Sequence, residues 1–338
     1  MIIDLRSDTF TIPTPPMLQA MMQAPVGDDV FGEDPSVNQL EAFVAEIFGM
    51  DASLFCPSGT MANQVAIKCH TNPGDEVICE FNSHVYYYEA GGIAFNSGCQ
   101  VKTIQGNRGL VNADQVKAAI NPHDIHRAHS SLVSLENTAN RGGGACYNQT
   151  DLQEIKEVCL QNNLKLHLDG ARLFNALVAN HEDPKFYGNL FDSISVCLSK
   201  GLGAPVGSML IGPKEFIKRA RRVRKVMGGG MRQAGYLAAA GIFALENNIG
   251  RLAQDHDHAK QIAEILIQKE FVGKVLPVDT NIIIFDVMGR YTAKQFVEIL
   301  KQNNILTIPI SAAQVRIVTH LGISPQMVQQ VINILETL

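Results

Sequence analysis

The chain has 338 residues, of which 46% are hydrophobic and 18% charged, with a formal net charge of −5. A disordered or low-complexity chain is excluded, one large or two moderate domains are expected, and the acidic balance argues against a protein built to grip nucleic acid through its global field. Charged content below the roughly 25% of ordinary soluble domains points to surface hidden between copies of a homo-oligomer.

No apolar run approaches the ~18 residues needed to span a bilayer. The opening Met1-Ile2-Ile3-Asp4-Leu5-Arg6-Ser7-Asp8 lacks the basic-then-apolar order of a signal peptide. Seven cysteines (Cys56, Cys69, Cys79, Cys99, Cys146, Cys159, Cys197) form an odd set without close pairs, which indicates neither a disulfide framework nor a zinc site. Buried, reduced thiols and a cytoplasmic location are expected, with no metal and no membrane contact.

In chain order, Asp34-Pro35 supplies an N-cap and a first-turn proline, and Leu40, Phe43, Val44, Ile47 and Phe48 follow at helical spacing. Short apolar strands then alternate with helical stretches: strands at 53–56, 76–79, 131–135, 165–168, 194–198 and 206–211, with helices from Thr60, near Tyr86 and from Asp151. This pattern predicts an α/β unit with a mainly parallel sheet, whose ligand chemistry belongs at the carboxyl ends of the strands. A long helical stretch from 213 through 247 to 269 leads into strands at 280–287, 305–308 and 315–319 and helices from Thr292 and Pro325, the texture of a small α+β unit. The expected division is 1–245, including the N-terminal segment, and 246–338.

Two strand ends carry the first chemical signals. The alternating run Leu164-Lys165-Leu166-His167-Leu168 ends in Asp169-Gly170-Ala171-Arg172, and the next strand ends in Ser199-Lys200-Gly201. Lys200 is the only charged residue between Asp192 and Lys214. Burial disfavours an ammonium, and the neutral amine is the nucleophile that forms Schiff bases. An amine for an aldehyde and a carboxylate for a pyridine nitrogen match the needs of pyridoxal 5′-phosphate. A phosphate cradle is available in Pro57-Ser58-Gly59-Thr60, where a strand turns into a helix N-terminus. His84, just past the strand at 76–79, suits stacking on a flat ring; His126 and His129 carry the same ambiguity of role.

With these residues in view, the chain resembles the low-specificity L-threonine aldolases, pyridoxal-phosphate enzymes of the type I transferase fold. The resemblance runs from residue 2 to about 324. It is carried by Asp4-Leu5-Arg6-Ser7-Asp8-Thr9, Val26-Gly27-Asp28-Asp29-Val30-Phe31-Gly32-Glu33-Asp34-Pro35, Pro57-Ser58-Gly59-Thr60 and Ser134-Leu135-Glu136-Asn137-Thr138. Further along it rests on His167-Leu168-Asp169-Gly170-Ala171-Arg172, Leu198-Ser199-Lys200-Gly201-Leu202-Gly203 and Gly228-Gly229-Gly230-Met231-Arg232-Gln233. Phe31 stands where many members have tyrosine, and the loop Arg141-Gly142-Gly143-Gly144 is richer in glycine than is usual.

The resemblance implies retro-aldol cleavage of L-threonine and L-allo-threonine to glycine and acetaldehyde. By it, Lys200 would bind the coenzyme covalently, Asp169 would pair with its ring nitrogen, His84 would stack on its face, and Gly59, Thr60 and Ser199 would face its phosphate. Arg232 would reach the coenzyme of a neighbouring subunit, in a homotetramer with shared sites. Ser7, Arg172 and Arg316 would hold the substrate carboxylate, Arg172 lying also beside the coenzyme, with Tyr88 and His126 near the β-carbon. His84, His126 or a bound water would serve as base for the β-hydroxyl. β-Elimination or transamination on the same scaffold is the runner-up. A non-enzymatic alternative rests on the basic run Lys218-Arg219-Ala220-Arg221-Arg222-Val223-Arg224-Lys225, which would suit an acidic partner but also a solvated or intersubunit helix face.

Overall fold

The computed structural model describes residues 2–338. The chain opens with β1 (Ile3–Asp4) and then builds a seven-stranded sheet from β2 (Ala52–Cys56), β3 (Glu76–Glu80), β4 (Gln100–Ile104), β5 (Ser130–Glu136), β6 (Lys165–Gly170), β7 (Ser193–Cys197) and β8 (Ser208–Gly212). The strand order is β2-β8-β7-β6-β5-β3-β4. Strand β8 runs antiparallel to both of its neighbours, while β7, β6, β5, β3 and β4 pair parallel in succession. Helices cover both faces, so β3, β5, β7 and β8 are buried along their whole length; β7 and β8 read as continuous apolar or small-residue runs, while β3 and β5 carry glutamates only at their ends.

Local chemistry sets the helices that cover the sheet. Helix Pro35–Phe48 starts where Asp34 Oδ1 accepts from Val37 N–H at 3.1 Å and ends at Gly49, whose left-handed φ of 63° lets the chain turn back. Its buried stripe of Val37, Leu40, Val44 and Phe48 joins the large core. The stretch expected as one long helical region is three helices, Lys214–Val226, Gly235–Asn247 and Leu252–Ile267, broken first at Gly228 (φ 83°).

A second sheet, β12-β13-β10-β9, is formed from β9 (Val272–Val275), β10 (Ile282–Val287), β12 (Ile308–Pro309) and β13 (Gln314–Val318). Strand β11 (Ile305–Leu306) pairs instead with β1, in parallel. Ile3 and Leu5 therefore pack with Ile262, Phe285, Phe296, Ile317 and Val331 in the C-terminal core. Within the N-terminal segment, Ile3 in β1 and Leu5 just after it are thus buried by the C-terminal unit, whereas Met17 further along joins the large core. Among the described residues no helix is long and apolar enough to cross a membrane. All seven cysteines are free, and burial pushes the Cys56 and Cys79 thiols up to about 12.

Candidate active site

The carboxyl ends of β2, β3, β5, β6 and β7 share one edge of the large sheet. Asp169 and Gly170 close β6, Ser199 and Lys200 follow β7, Glu136 closes β5, His84 begins a short turn after β3, and Ser58-Gly59 follow β2. Gly59 is fixed by close approach: a Cβ there would meet Cys197 Sγ at 2.7 Å and Ser208 Oγ at 3.5 Å. Only glycine lets the N-terminus of helix Gly59–His70 lie against the end of β7, beside the turn that carries Lys200. In that first turn Ser58 Oγ accepts from Met61 N–H at 3.1 Å and Ser58 C=O from Ala62 N–H at 3.1 Å. The N–H groups of Gly59 and Thr60 are left for an anion.

Lys200 is half-buried, and its carbonyl accepts from Thr11 Oγ1 at 3.1 Å. Among the described residues its Nζ makes no hydrogen bond or ion pair, so the amine is uncommitted. Asp169, 2% exposed, accepts from Asn63 Nδ2 at 2.9 Å and from Ala171 N–H at 3.1 Å. His84 is positioned from two sides: its N–H donates to Glu136 Oε2 at 2.6 Å, and its Nδ1 lies 2.9 Å from Glu89 Oε1. Burial works to lower the His84 pKa, but the hydrogen bond His84 gives to Glu89 and the charges of Asp169 and Glu89 outweigh it and raise the value above normal. Burial and then the charge of Asp169 push the Glu136 carboxyl up.

Arg172 is buried and clamped to Asp8, with Nε–Oδ2 at 2.7 Å and Nη2–Oδ1 at 2.8 Å. Ser7 precedes that aspartate and accepts from Thr9 N–H at 3.3 Å. Burial favours the neutral Asp8 carboxyl, yet the Arg172 charge and hydrogen bonds, with help from Lys200, hold it well below the usual carboxylate range. Since the folded value is depressed, the pair contributes stability above about pH 3.9 and loses it only as pH falls through the folded value. Asp8→Asn is expected to leave a buried guanidinium uncompensated and to destabilise the protein by ~3–5 kcal/mol in urea unfolding at neutral pH. A change below about 1 kcal/mol would show that the pair is dispensable.

Arg316 reaches from β13 across to the large unit, donating from Nη1 to Asn140 Oδ1 at 2.8 Å and from Nη2 to Arg6 C=O at 3.2 Å. Among the described residues its Nε is buried without a partner. Desolvation, then the nearby Arg172 charge, lowers its pKa to about 10. A guanidinium held beside another, with N–H groups to spare, is a place for a carboxylate. Tyr88 is exposed, with its ring centroid 5.7 Å from that of His84. Thr60 and Ser199 stand at the cradle, exposed and half-buried respectively.

Two expected site residues are not brought to this cluster within the chain. His126 lies in the loop that precedes β5, at the amino-terminal edge of the sheet and so opposite the site; its side chain is 82% exposed and its Nδ1 is 2.8 Å from Asp124 Oδ1. Within one chain, that loop and the carboxyl-end cluster that holds His84 lie at opposite edges of the sheet. Arg232 is exposed and pairs with Asp28 at 2.8 Å. Part of the basic run is committed as well: Arg224 pairs with Asp29 at 2.7 Å, and Arg221 with Glu41 at 2.5 Å. Sequence reasoning missed Asp8, Asn63, Glu89, Glu136 and Asn140 as site residues. Asp8 and Glu136 lay inside quoted motifs without an assigned task, and Glu89 offered only its position five residues after His84.

The beta-eliminating lyase family model matches residues 4–289. The chain is 47% identical over 332 residues to the low specificity L-threonine aldolase of Escherichia coli (strain K12), covering 98% of this chain and 97% of that protein. It is 41% identical to the probable low-specificity L-threonine aldolase 2 of Arabidopsis thaliana, covering 99% and 96%. Among solved structures, a Leishmania major threonine aldolase superposes with a TM-score of 0.86 at 21% identity, covering 99% of each chain. The Sphingomonas wittichii serine palmitoyltransferase gives 0.78 at 16% identity over 99% of this chain and 86% of that one. Both structural likenesses show the fold.

Proposed function

Because the chain belongs to the low-specificity L-threonine aldolase family, we infer that this site cleaves the Cα–Cβ bond of L-threonine, giving glycine and acetaldehyde, with pyridoxal 5′-phosphate as coenzyme. The observation that carries the reading is an uncommitted lysine after β7 beside a buried carboxylate at the end of β6, next to a helix N-terminus that only glycine allows so close. These residues fit the coenzyme. Lys200 would hold it through its amine, Asp169 would keep the ring nitrogen protonated, Gly59, Thr60 and Ser199 would face its phosphate, and His84 would lie against its ring. When bound, pyridoxal phosphate supplies the electron sink for the bond that breaks.

The chain's own residues do the rest. Arg316, with Arg172 and Ser7 alongside, takes the substrate carboxylate; fixing that end and the amine together selects which bond at Cα is aligned for cleavage. Glu89 accepts the Nδ1 proton of His84, which leaves Nε2 free to take the proton of the β-hydroxyl. His84 is then the base of this reading, and it works only when neutral. The acid limb of kcat/KM is expected to follow its raised pKa, above about 6.5. Glu89→Gln removes the anion that supports the imidazolium, so this limb should move to lower pH; an unmoved limb would exclude His84 as the titrating base.

Incubation with L-threonine and with L-allo-threonine, following acetaldehyde and glycine, tests the reaction. A keto acid in place of these products would overturn the aldolase reading in favour of elimination or transamination. We place the protein in the cytoplasm as a homotetramer in which Arg232 serves the neighbouring site. Exposed Phe95 and Val226, around a cleft of about 830 Å³ that also carries Lys68, Arg219 and Arg222, leave apolar surface for a neighbouring subunit to cover. Mixing Lys200→Ala with Arg232→Ala subunits under exchange conditions should restore activity that neither variant has alone. No recovery from exchanged subunits would place Arg232 outside the shared site.

A further inference from the structure

One amide stands between two carboxylates of the site. Asn63, buried in helix Gly59–His70, lies with Nδ2 2.9 Å from Asp169 Oδ2 and 2.9 Å from Glu89 Oε1. Its Oδ1 is 2.6 Å from Ser195 Oγ and 3.2 Å from His167 Nε2. His167 Nδ1 is in turn 2.8 Å from Ser193 Oγ, which lies 2.8 Å from His70 Nε2. Glu89 is tied on its other oxygen by Gln64 Nε2 at 2.7 Å. One oxygen or nitrogen from each of His84, Glu89 and Asp169 falls within 4.8 Å of the others.

Donor counting fixes the direction of every bond in this line. Ionised carboxylates only accept, so the Asn63 amide must present its NH2 to Asp169 and Glu89 and its oxygen to Ser195 and His167. That oxygen only accepts, so His167 carries its proton on Nε2. Burial keeps His167 neutral, which leaves Nδ1 to accept from the Ser193 hydroxyl. With its one proton spent, Ser193 accepts from His70. All the hydrogen bonds from His70 to Asp169 thus point the same way, and aligned hydrogen bonds polarise one another toward the carboxylate at their end.

We propose that Asn63, its amide oriented by His167 and Ser195, is a positioning residue that holds Asp169 and Glu89 at one separation and so aligns the carboxylate of the coenzyme ring nitrogen with the imidazole of His84. This rests on the reading of the site as a pyridoxal-phosphate site. The arrangement explains why two like charges are tolerated in a buried space. Each oxygen pair is anchored, and the shared NH2 bridges them. It also ties the residue that tunes the ring to the residue that receives the substrate proton, so that neither can shift alone.

The test measures the pyridoxal-phosphate dissociation constant of the full-length enzyme by equilibrium dialysis, with the visible absorbance band and the thermal midpoint recorded for each protein. Asn63→Leu keeps the side-chain volume and removes the amide, and His167→Leu removes the donor behind it. Both are expected to raise the dissociation constant ~10-fold or more, the scale of a lost hydrogen bond to a charged group, and to shift the band. His167→Gln retains a donor near the same position and should recover most of that loss, while Ser195→Ala should fall between. Leucine variants that bind coenzyme within twofold of the parent, with an unshifted band, would overturn the proposal whatever their melting temperature. If Asn63→Leu does not fold, parent-like binding by Ser195→Ala and His167→Leu overturns it equally. Failure of the parent itself to take up pyridoxal phosphate would instead sink the underlying reading.

Discussion

Lys200→Ala is expected to purify without the visible absorbance of bound coenzyme and to release no measurable acetaldehyde from L-threonine. The argument begins with the side chain's isolation. It leaves β7 into a turn of small residues, and among the described residues no carboxylate pairs with its amine, Asp8 being bound to Arg172. Losing the nucleophile removes covalent attachment, which no neighbour can replace: the nearby arginines stay protonated at any working pH. Turnover should fall by ~10³-fold or more, equivalent to ~4 kcal/mol on the barrier. Lys200→Arg separates charge from nucleophilicity. It keeps the cation near His84 and Asp8 but should be as inactive as the alanine variant. A coloured, active Lys200→Arg protein would show that position 200 supplies only charge.

How much of this was legible in sequence depends on how local the determining physics is. The ends of β6 and β7 were readable because strands buried on both faces leave little place for charge, so Asp169 and Lys200 stand out against their neighbours. The cradle was readable because a strand, small residues and a helix follow within one short segment. Strand β4 was not. Its Gln100 and Lys102 face solvent at the sheet edge, and the apolar residues between them are too few to signal a strand. The pairing of β1 with β11 joins positions about 300 residues apart, and nothing in a dipeptide Ile3-Asp4 announces its partner.

The site itself divides in the same way. Residues with a distinctive functional group stand out in the sequence, and residues that hold others in place do not. Asp8 looked like part of a motif without a task until the fold brought it against Arg172, and Glu89 gained meaning only when Asn63, Gln64 and His84 converged on its two oxygens. His126 shows the converse case. Residue type suggested a base, but the chain's direction through a parallel strand decides which edge a loop occupies, and that loop enters β5 from the far side.

Arg316→Leu is expected to raise KM for L-threonine and to lower kcat/KM ~100-fold, while the coenzyme stays bound. Two of the five N–H groups of this guanidinium are used, by Asn140 and by the carbonyl of Arg6, and Nε is buried with none. Neighbouring Arg172 has its charge matched by Asp8, so an arriving carboxylate finds its unmatched cation at Arg316. A charge-assisted, two-pronged contact is worth ~3 kcal/mol, about two powers of ten in kcat/KM. The loss should appear mainly in KM, because the carboxylate is held equally before and during bond cleavage. Arg316→Lys restores a cation without the planar fork and should recover only part of the deficit. A KM within twofold of the parent for the leucine variant would remove Arg316 from substrate recognition and leave the carboxylate to Arg172 and Ser7.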